Sequence, residues 1–341
     1  MKKVLILGVN GFIGQHLCKR ILASTDWEVV GMDLYSNMVA DLLANPRMSF
    51  FQGNIMDETE WVEKQVEKCD VVLPLVAIAT PATYVTEPLR IFELDFEANL
   101  PIVRAAVKYN KHLVFPSTSE VYGMCEDSQF DSSLSKMVYG PINKPRWIYA
   151  CCKQLMDRVI WGYGMEGLRY TIFRPFNWIG SGQDNIHNSQ HGRSRVVPQF
   201  LGHIVRGEEI SLVDGGQQRR AFADIDDGIE ALMLIIRNVG DIANGKIYNI
   251  GNPQNDHSIF ELANKMLEIA KQIPEYSVNA KKVKIKVESS KDYYGAGYQD
   301  IQNRVPMIDN TMSELGWEPS IDMTNSLESI FEAYRDEVSG T

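Results

Sequence analysis

The chain has 341 residues, of which 45% are hydrophobic and 23% charged, enough to bury one large core with a smaller appended lobe. Its net charge of -10 disfavours nucleic acid as a partner, and no stretch is long and apolar enough to cross a bilayer. Five cysteines (Cys18, Cys69, Cys125, Cys151 and Cys152) and six histidines show no metal-type spacing, and the odd thiol count fits a reducing cytoplasm.

The chain opens on KKVLIL, a strand-type run, followed by Gly8-Val9-Asn10-Gly11-Phe12-Ile13-Gly14 and a helical pattern over 15–22. Lys2 and Lys3 imitate a signal peptide, but Gly8, Asn10 and Gly11 break the apolar run at once and no small-residue cleavage site follows. Strand, tight glycine turn and helix together predict a pyrophosphate site, where free N–H groups and the positive helix end face the phosphates. A second strand, WEVVGMD, ends on Asp33, at the spacing of a ribose-binding carboxylate. Asp33 would repel a 2′-phosphate, and Leu34, Tyr35 and Ser36 bring no cation to hold one, so NAD rather than NADP is expected.

Strand-like runs recur at 48–52, 71–76, 112–116 and 169–174, alternating with helical stretches at 58–67, 91–109 and 148–163. This alternation predicts an α/β fold, a Rossmann-type doubly wound parallel sheet, with ligands beyond the carboxyl ends of its strands. The loops at 8–14, 76–84 and 117–123 fall there. Residues 1–177 are read as the NAD-binding domain, to which about 221–250 could return. Residues 178–341 form mainly a smaller, interleaved C-terminal substrate lobe, with helices at 196–205, 225–238 and 258–271, and strands near 210 and 221 and at 247–250. Two polar, glycine-containing stretches, 178–194 and 289–306, read as functional loops.

Ser117-Thr118-Ser119-Glu120-Val121-Tyr122-Gly123 and Tyr149-Ala150-Cys151-Cys152-Lys153 carry the chemistry. A Tyr and a Lys four apart share a helix face, which suits removal of a hydroxyl proton and hence oxidation of an alcohol. A free phenol titrates near about 10, well above neutrality. A unit charge at about 5 to 6 Å is worth roughly 3 kcal/mol at an effective dielectric of about 20, so Lys153 and an oxidised nicotinamide together can ionise Tyr149 where either alone falls short. Vicinal cysteines on a helix close a disulfide only with strain, so Cys151 and Cys152 are read as packing.

The set GxxGxxG, STSEVYG and YxxxK resembles the extended short-chain dehydrogenase/reductase superfamily, which acts on nucleotide sugars, over nearly the whole chain. More narrowly, LPLVAIATP, STSEVYGMC, PINKPRWIYA, FRPFNWIG, VDGG and YYGAGYQD resemble the UDP-glucuronate oxidative decarboxylase half of the bifunctional polymyxin-resistance enzymes, which forms a UDP-4-keto-pentose. UDP-apiose/UDP-xylose synthase is similar too, sharing the features around Arg146 and Tyr149. The formyltransferase half has no counterpart in these residues and is expected to be supplied elsewhere or not used.

What the resemblance implies is specific. Thr118 and Ser119 would bridge the sugar hydroxyl. Glu120 would be the proton donor or water-positioning acid of decarboxylation, and Arg304 would hold the carboxylate and then the enolate. Related 4,6-dehydratases carry Asp at the Ser119 position, and simple 4-epimerases usually lack an acid at that of Glu120. Tyr84, Asn177, Arg195, Arg220 and Tyr298 match positions contacting a UDP-sugar. Asn54 and Ile55 match the adenine contact, and Ala77 and Asn99 match cofactor-side positions. The expected activity is NAD-dependent decarboxylation of UDP-glucuronate. The alternatives are a UDP-xylose or apiose/xylose synthase, a 4-epimerase, or a non-catalytic NAD sensor; intact Tyr149 and Lys153 argue against the last. A homodimer is expected through the helices at 91–109 and 148–163.

Overall fold

The computed structural model describes residues 1–187, 194–294 and 299–339. Its centre is a seven-stranded, wholly parallel sheet. Strands β1 (Lys3–Leu7), β2 (Glu28–Asp33), β3 (Met48–Gln52), β4 (Val71–Pro74), β5 (His112–Pro116) and β6 (Tyr170–Pro175) run in the order β3-β2-β1-β4-β5-β6, and Lys246–Ile250 joins beyond β6. The chain order reverses between β1 and β4, the switch point at which such sheets bind nucleotides.

Strand sequences explain the layers. In β1, Val4 and Ile6 point to one apolar cluster and Leu5 and Leu7 to the other, as a period of two requires. Both faces are covered, so the strand is a continuous apolar run rather than an alternating one. Helix α1 (Phe12–Ser24) and helix Ile225–Arg237 cover the first face with Leu17, Ile21, Ile229 and Leu232. Helices Thr59–Lys68, Leu100–Lys108 and Ile148–Met165 cover the second with Val62, Val103, Met156 and Ile160.

A separate apolar cluster, including Phe200, Ile204, Leu262, Met266, Tyr276 and Phe331, also takes in Ile210 and Leu212 of the short strand Ile210–Val213. Its helix Ile259–Gln272 starts at a reciprocal cap, with the Ser258 hydroxyl accepting from the Glu261 N–H and the Glu261 carboxylate accepting from the Ser258 N–H. No helix among the described residues is long and apolar enough to cross a membrane.

The single helix expected over 91–109 is broken. Helix Pro88–Phe92 passes into a π-helical turn, Glu93–Glu97, before helix Leu100–Lys108 begins. Pro101 sits in the first turn of that last helix, where its missing N–H costs nothing; within a continuous helix its ring would meet the carbonyl of Glu97.

Candidate functional site

The turn after β1 is built by glycine. Gly8 takes φ +89°, and a Cβ on Gly14 would lie 2.3 Å from the Gly8 carbonyl oxygen, so helix α1 can start this close to the strand only without a side chain there. Asp33 closes the other side: its Oδ2 accepts from the Asn10 N–H at 2.9 Å and its Oδ1 from the Leu34 N–H at 2.7 Å. Burial pushes the Asp33 carboxyl up, and these backbone N–H groups pull it back down. Asn10, Gly11, Asp33, Asn54, Ile55 and Ala77 line one cavity at the switch point. An anion-accepting turn beside a carboxylate fits a dinucleotide with a free ribose and opposes a 2′-phosphate. Asn99 is not among the residues lining this wall. It is fully buried behind it, donating to the carbonyls of Leu94 (2.8 Å) and Val76 (3.4 Å), and so anchors the loop after β4.

A cleft of about 440 Å³ continues from Gly8, Phe12, Ile13 and Gly14 to Thr118, Ser119, Tyr149 and Lys153. Helix Ile148–Met165 presents Tyr149 and Lys153 one turn apart, both buried. The Tyr149 ring stacks on Tyr84 with centroids 4.8 Å apart and planes within 7°. Burial raises the Tyr149 phenol far above its ordinary range, Asp95 and Glu120 add to the effect, and a hydrogen bond with Thr118 opposes it. The phenol is therefore protonated in the protein alone, and Lys153 does not ionise it unaided. The Lys153 ammonium donates to the Pro116 carbonyl at 3.1 Å and stands 3.7 Å from Asp95.

Glu120 lies between two arginines: Arg146 Nη1 is 2.6 Å from Oε2, and Arg304 Nη1 is 3.2 Å from Oε1. Burial pushes this carboxyl up, but the attraction and hydrogen bonds of the two guanidiniums outweigh it and hold the group at about 2. Glu120 is therefore ionised at neutral pH and carries no proton to donate in the free protein. Arg304 also donates to Asn177 Oδ1 at 2.9 Å, and Asn177, at φ +41°, is tied to the Ala221 carbonyl by its Nδ2.

Arg220 and Arg195 line the same cleft. Arg220 donates to Asp300 at 2.7 Å and to the Ile301 carbonyl at 2.6 Å, and Arg195 donates to Asp184 at 3.1 Å. Tyr298 lies outside the described residues. Sequence reasoning gave no role to Arg146 or Asp95. Asp95 had a signal: Ile91, Asp95 and Asn99 recur every four residues on an inward stripe, where an acid is out of place. Arg146 had only its position beside Trp147 just ahead of the Tyr149 helix; its burial follows from packing that begins beyond residue 298.

Comparison with known proteins bears on this cleft. The NAD dependent epimerase/dehydratase family matches residues 4–251, well over half of the chain and including the glycine turn, Asp33, Tyr149 and Lys153. The chain belongs to that family. It is also similar to the PbgP3 protein from Burkholderia pseudomallei, at 66% identity over 99% of this chain and 98% of that one, with a TM-score of 0.91. Two more distant structures share the fold. One is UDP-glucose 4-epimerase from Thermotoga maritima with UDP-glucose, at 22% identity, 98% and 99% coverage and TM-score 0.80. The other is UDP-glucuronic acid 4-epimerase from Bacillus cereus in complex with UDP-glucuronic acid and NAD, at 18% identity, 98% and 99% coverage and TM-score 0.78. Membership makes the chain an NAD-dependent enzyme of the epimerase/dehydratase kind.

Proposed function

We propose that the protein catalyses NAD-dependent oxidative decarboxylation of UDP-glucuronate to a UDP-4-keto-pentose. The observation that carries this reading is the pair of buried arginines, Arg146 and Arg304, beside Tyr149 in the cleft that continues from the glycine turn. A neutral sugar needs no such cationic pocket. A uronate does, since its carboxylate can take over guanidinium contacts that Glu120 holds in the free protein.

In this mechanism Tyr149, made basic by Lys153 together with the bound cofactor, takes the proton of the C4 hydroxyl, which Thr118 and Ser119 orient. The glycine turn and Asp33 would hold NAD, which would supply the acceptor for the C4 hydride. The resulting C4 ketone makes the C6 carboxylate a β-keto acid, so the C5–C6 bond breaks, carbon dioxide leaves, and the bonding pair moves into an enolate. Arg304 stabilises that charge; a guanidinium, with a pKa above about 12, positions rather than protonates. Glu120 orients the water that returns a proton to C5. Ser119, unlike an aspartate, cannot protonate a departing hydroxyl, which disfavours dehydration.

The nucleotide diphosphate is assigned to Arg195 and Arg220, and its sugar to the part of the cleft lined by Tyr84 and Asn177. The exposed apolar side chains Leu155, Trp161 and Met165 on helix Ile148–Met165 suit the two-fold face of a homodimer, for which sedimentation at micromolar concentration is the check. The decisive experiment is incubation with UDP-glucuronate and NAD. Release of carbon dioxide with a UDP-4-keto-pentose in the NMR spectrum supports the reading. A product of unchanged mass makes the protein a 4-epimerase, a pentose with C4 reduced makes it a xylose- or apiose-type synthase, and no turnover of any UDP-sugar leaves an NAD-binding protein.

A further inference from the structure

Asp95 is fully buried on the π-helical turn Glu93–Glu97, a kind of helix irregularity frequent at functional sites. Its Oδ2 accepts from the Ile78 N–H at 3.2 Å, which fixes the loop after β4. Its Oδ1 has no hydrogen-bond partner and stands 3.7 Å from the Lys153 ammonium. The flanking acids Glu93 and Glu97 are exposed, so only the inward position of the turn carries this charge.

The other ionisable groups around Lys153 are accounted for. Asp157, on the same helix, is engaged by Arg174 at 3.0 Å and by the Ser117 hydroxyl at 2.8 Å. Cys152 and Tyr149 are protonated, since burial raises both. Glu120, on the turn that follows β5, is held by Arg146 and Arg304. Among the described residues, the remaining contacts of the ammonium are the Pro116 carbonyl, the Phe115 ring 5.1 Å away and the Tyr149 ring 6.0 Å away, and none is charged. Asp95 is thus the carboxylate beside Lys153 that no arginine neutralises. Burial lowers Lys153, and Asp95 heads the groups that raise it.

We infer that Asp95 is the counter-ion that keeps Lys153 charged inside the protein, and is thereby a positioning residue for proton transfer at Tyr149. This rests on the assignment of Tyr149 and Lys153 as the catalytic pair. An unpaired buried ammonium would shed its proton, and with it the positive charge that Tyr149 needs next to it. Asp95→Asn separates this role from the structural one, because an asparagine oxygen can still accept from Ile78 while the charge is gone.

The test follows the 13Cε resonance of Lys153 through pH in protein labelled at lysine, assigned by its absence in Lys153→Met, with no sugar present. In Asp95→Asn the midpoint is expected to fall by at least about one pH unit. Asp157→Asn, which removes a charge already matched by Arg174, is expected to move it less. With a substrate in hand, the alkaline limb of kcat moves down with the resonance while KM for the sugar stays. An unchanged midpoint and limb in a natively melting Asp95→Asn protein overturns the inference. Should that variant fail to fold, the Cγ resonance of Asp95 in the native protein decides: a carboxylate signal at every pH above neutral where Lys153 is charged supports the counter-ion, and a protonated carboxyl there overturns it. The titration needs no sugar turnover, so it stands or falls apart from the choice of substrate.

Discussion

The nucleotide side and the sugar side of the cleft are made in different ways. On the nucleotide side the working parts are backbone and spacing: Gly8, Gly14, and an Asn10–Asp33 hydrogen bond between residues only 23 apart. On the sugar side they are buried charges from distant segments, with Glu120 and Arg304 meeting across 184 residues. The first kind of site tolerates no added atom, whereas the second tolerates no lost charge. Substitutions on the two sides should therefore fail differently, one through affinity for the cofactor and the other through chemistry and stability.

Tyr149→Phe tests the chemistry side most severely. It keeps the ring stacked on Tyr84 and removes only the hydroxyl, so NAD should bind as before while turnover falls roughly a hundred- to ten-thousandfold. Stopped-flow formation of NADH and a separate NAD titration distinguish the two effects. A matching loss of NAD affinity would erase the contrast drawn between the two sides.

Glu120→Gln is next in size. It leaves Arg146 and Arg304 facing each other without their shared carboxylate, which should cost about 3 to 5 kcal/mol, read by chemical denaturation at neutral pH. The sign of the pH dependence follows from the depressed carboxyl. An unfolded Glu titrates near about 4.3, so the stabilisation is fully present above that pH and is lost as pH falls toward the folded value of about 2. Native and variant melting curves should accordingly converge in acid. Parallel curves across that range would mean that the arginines do not hold Glu120 ionised.

The same contrast explains what the sequence made legible. β3 and β5 lie at 48–52 and 112–116 as expected, and the glycine turn and Asp33 sit where their spacing put them, because local geometry decides both. The π-helical turn escaped, although Pro101 was a visible mark of a new helix start. Asp95 had the signal of an acid on an inward stripe, whereas Arg146 had none, since a charge is read as exposed until partners such as Glu120 and the Gln299 carbonyl are known. Asn99, expected on the cofactor side, lies behind this wall instead, a matter of packing depth that periodicity does not encode.

Asp33→Ala sharpens the nucleotide side. Loss of charged hydrogen bonds to the ribose is worth about 1.5 to 3 kcal/mol, so NAD affinity should fall roughly ten- to hundredfold. NADP, no longer repelled, should be hurt less. Isothermal titration with both cofactors gives the ratio, and an unchanged preference for NAD would remove Asp33 from the ribose site.

The smallest effect is expected closest in sequence to Lys153. Cys151 and Cys152 lie within the Tyr149–Lys153 interval, yet burial pushes the Cys152 thiol up to about 12 and Cys151 upward as well, so neither is a thiolate at neutral pH. Asp95 adds to the rise at Cys152, which makes oxidation or alkylation there slower still. The variant Cys151→Ser with Cys152→Ala should lose about 1 kcal/mol of stability from the buried sulfur and keep kcat within roughly twofold, as measured by steady-state assay beside a melting curve. What counts on the sugar side is membership in the buried charge network, and these thiols are outside it despite their address. A tenfold loss of turnover with normal melting would show that the interval itself, and not only its two ends, takes part in the chemistry.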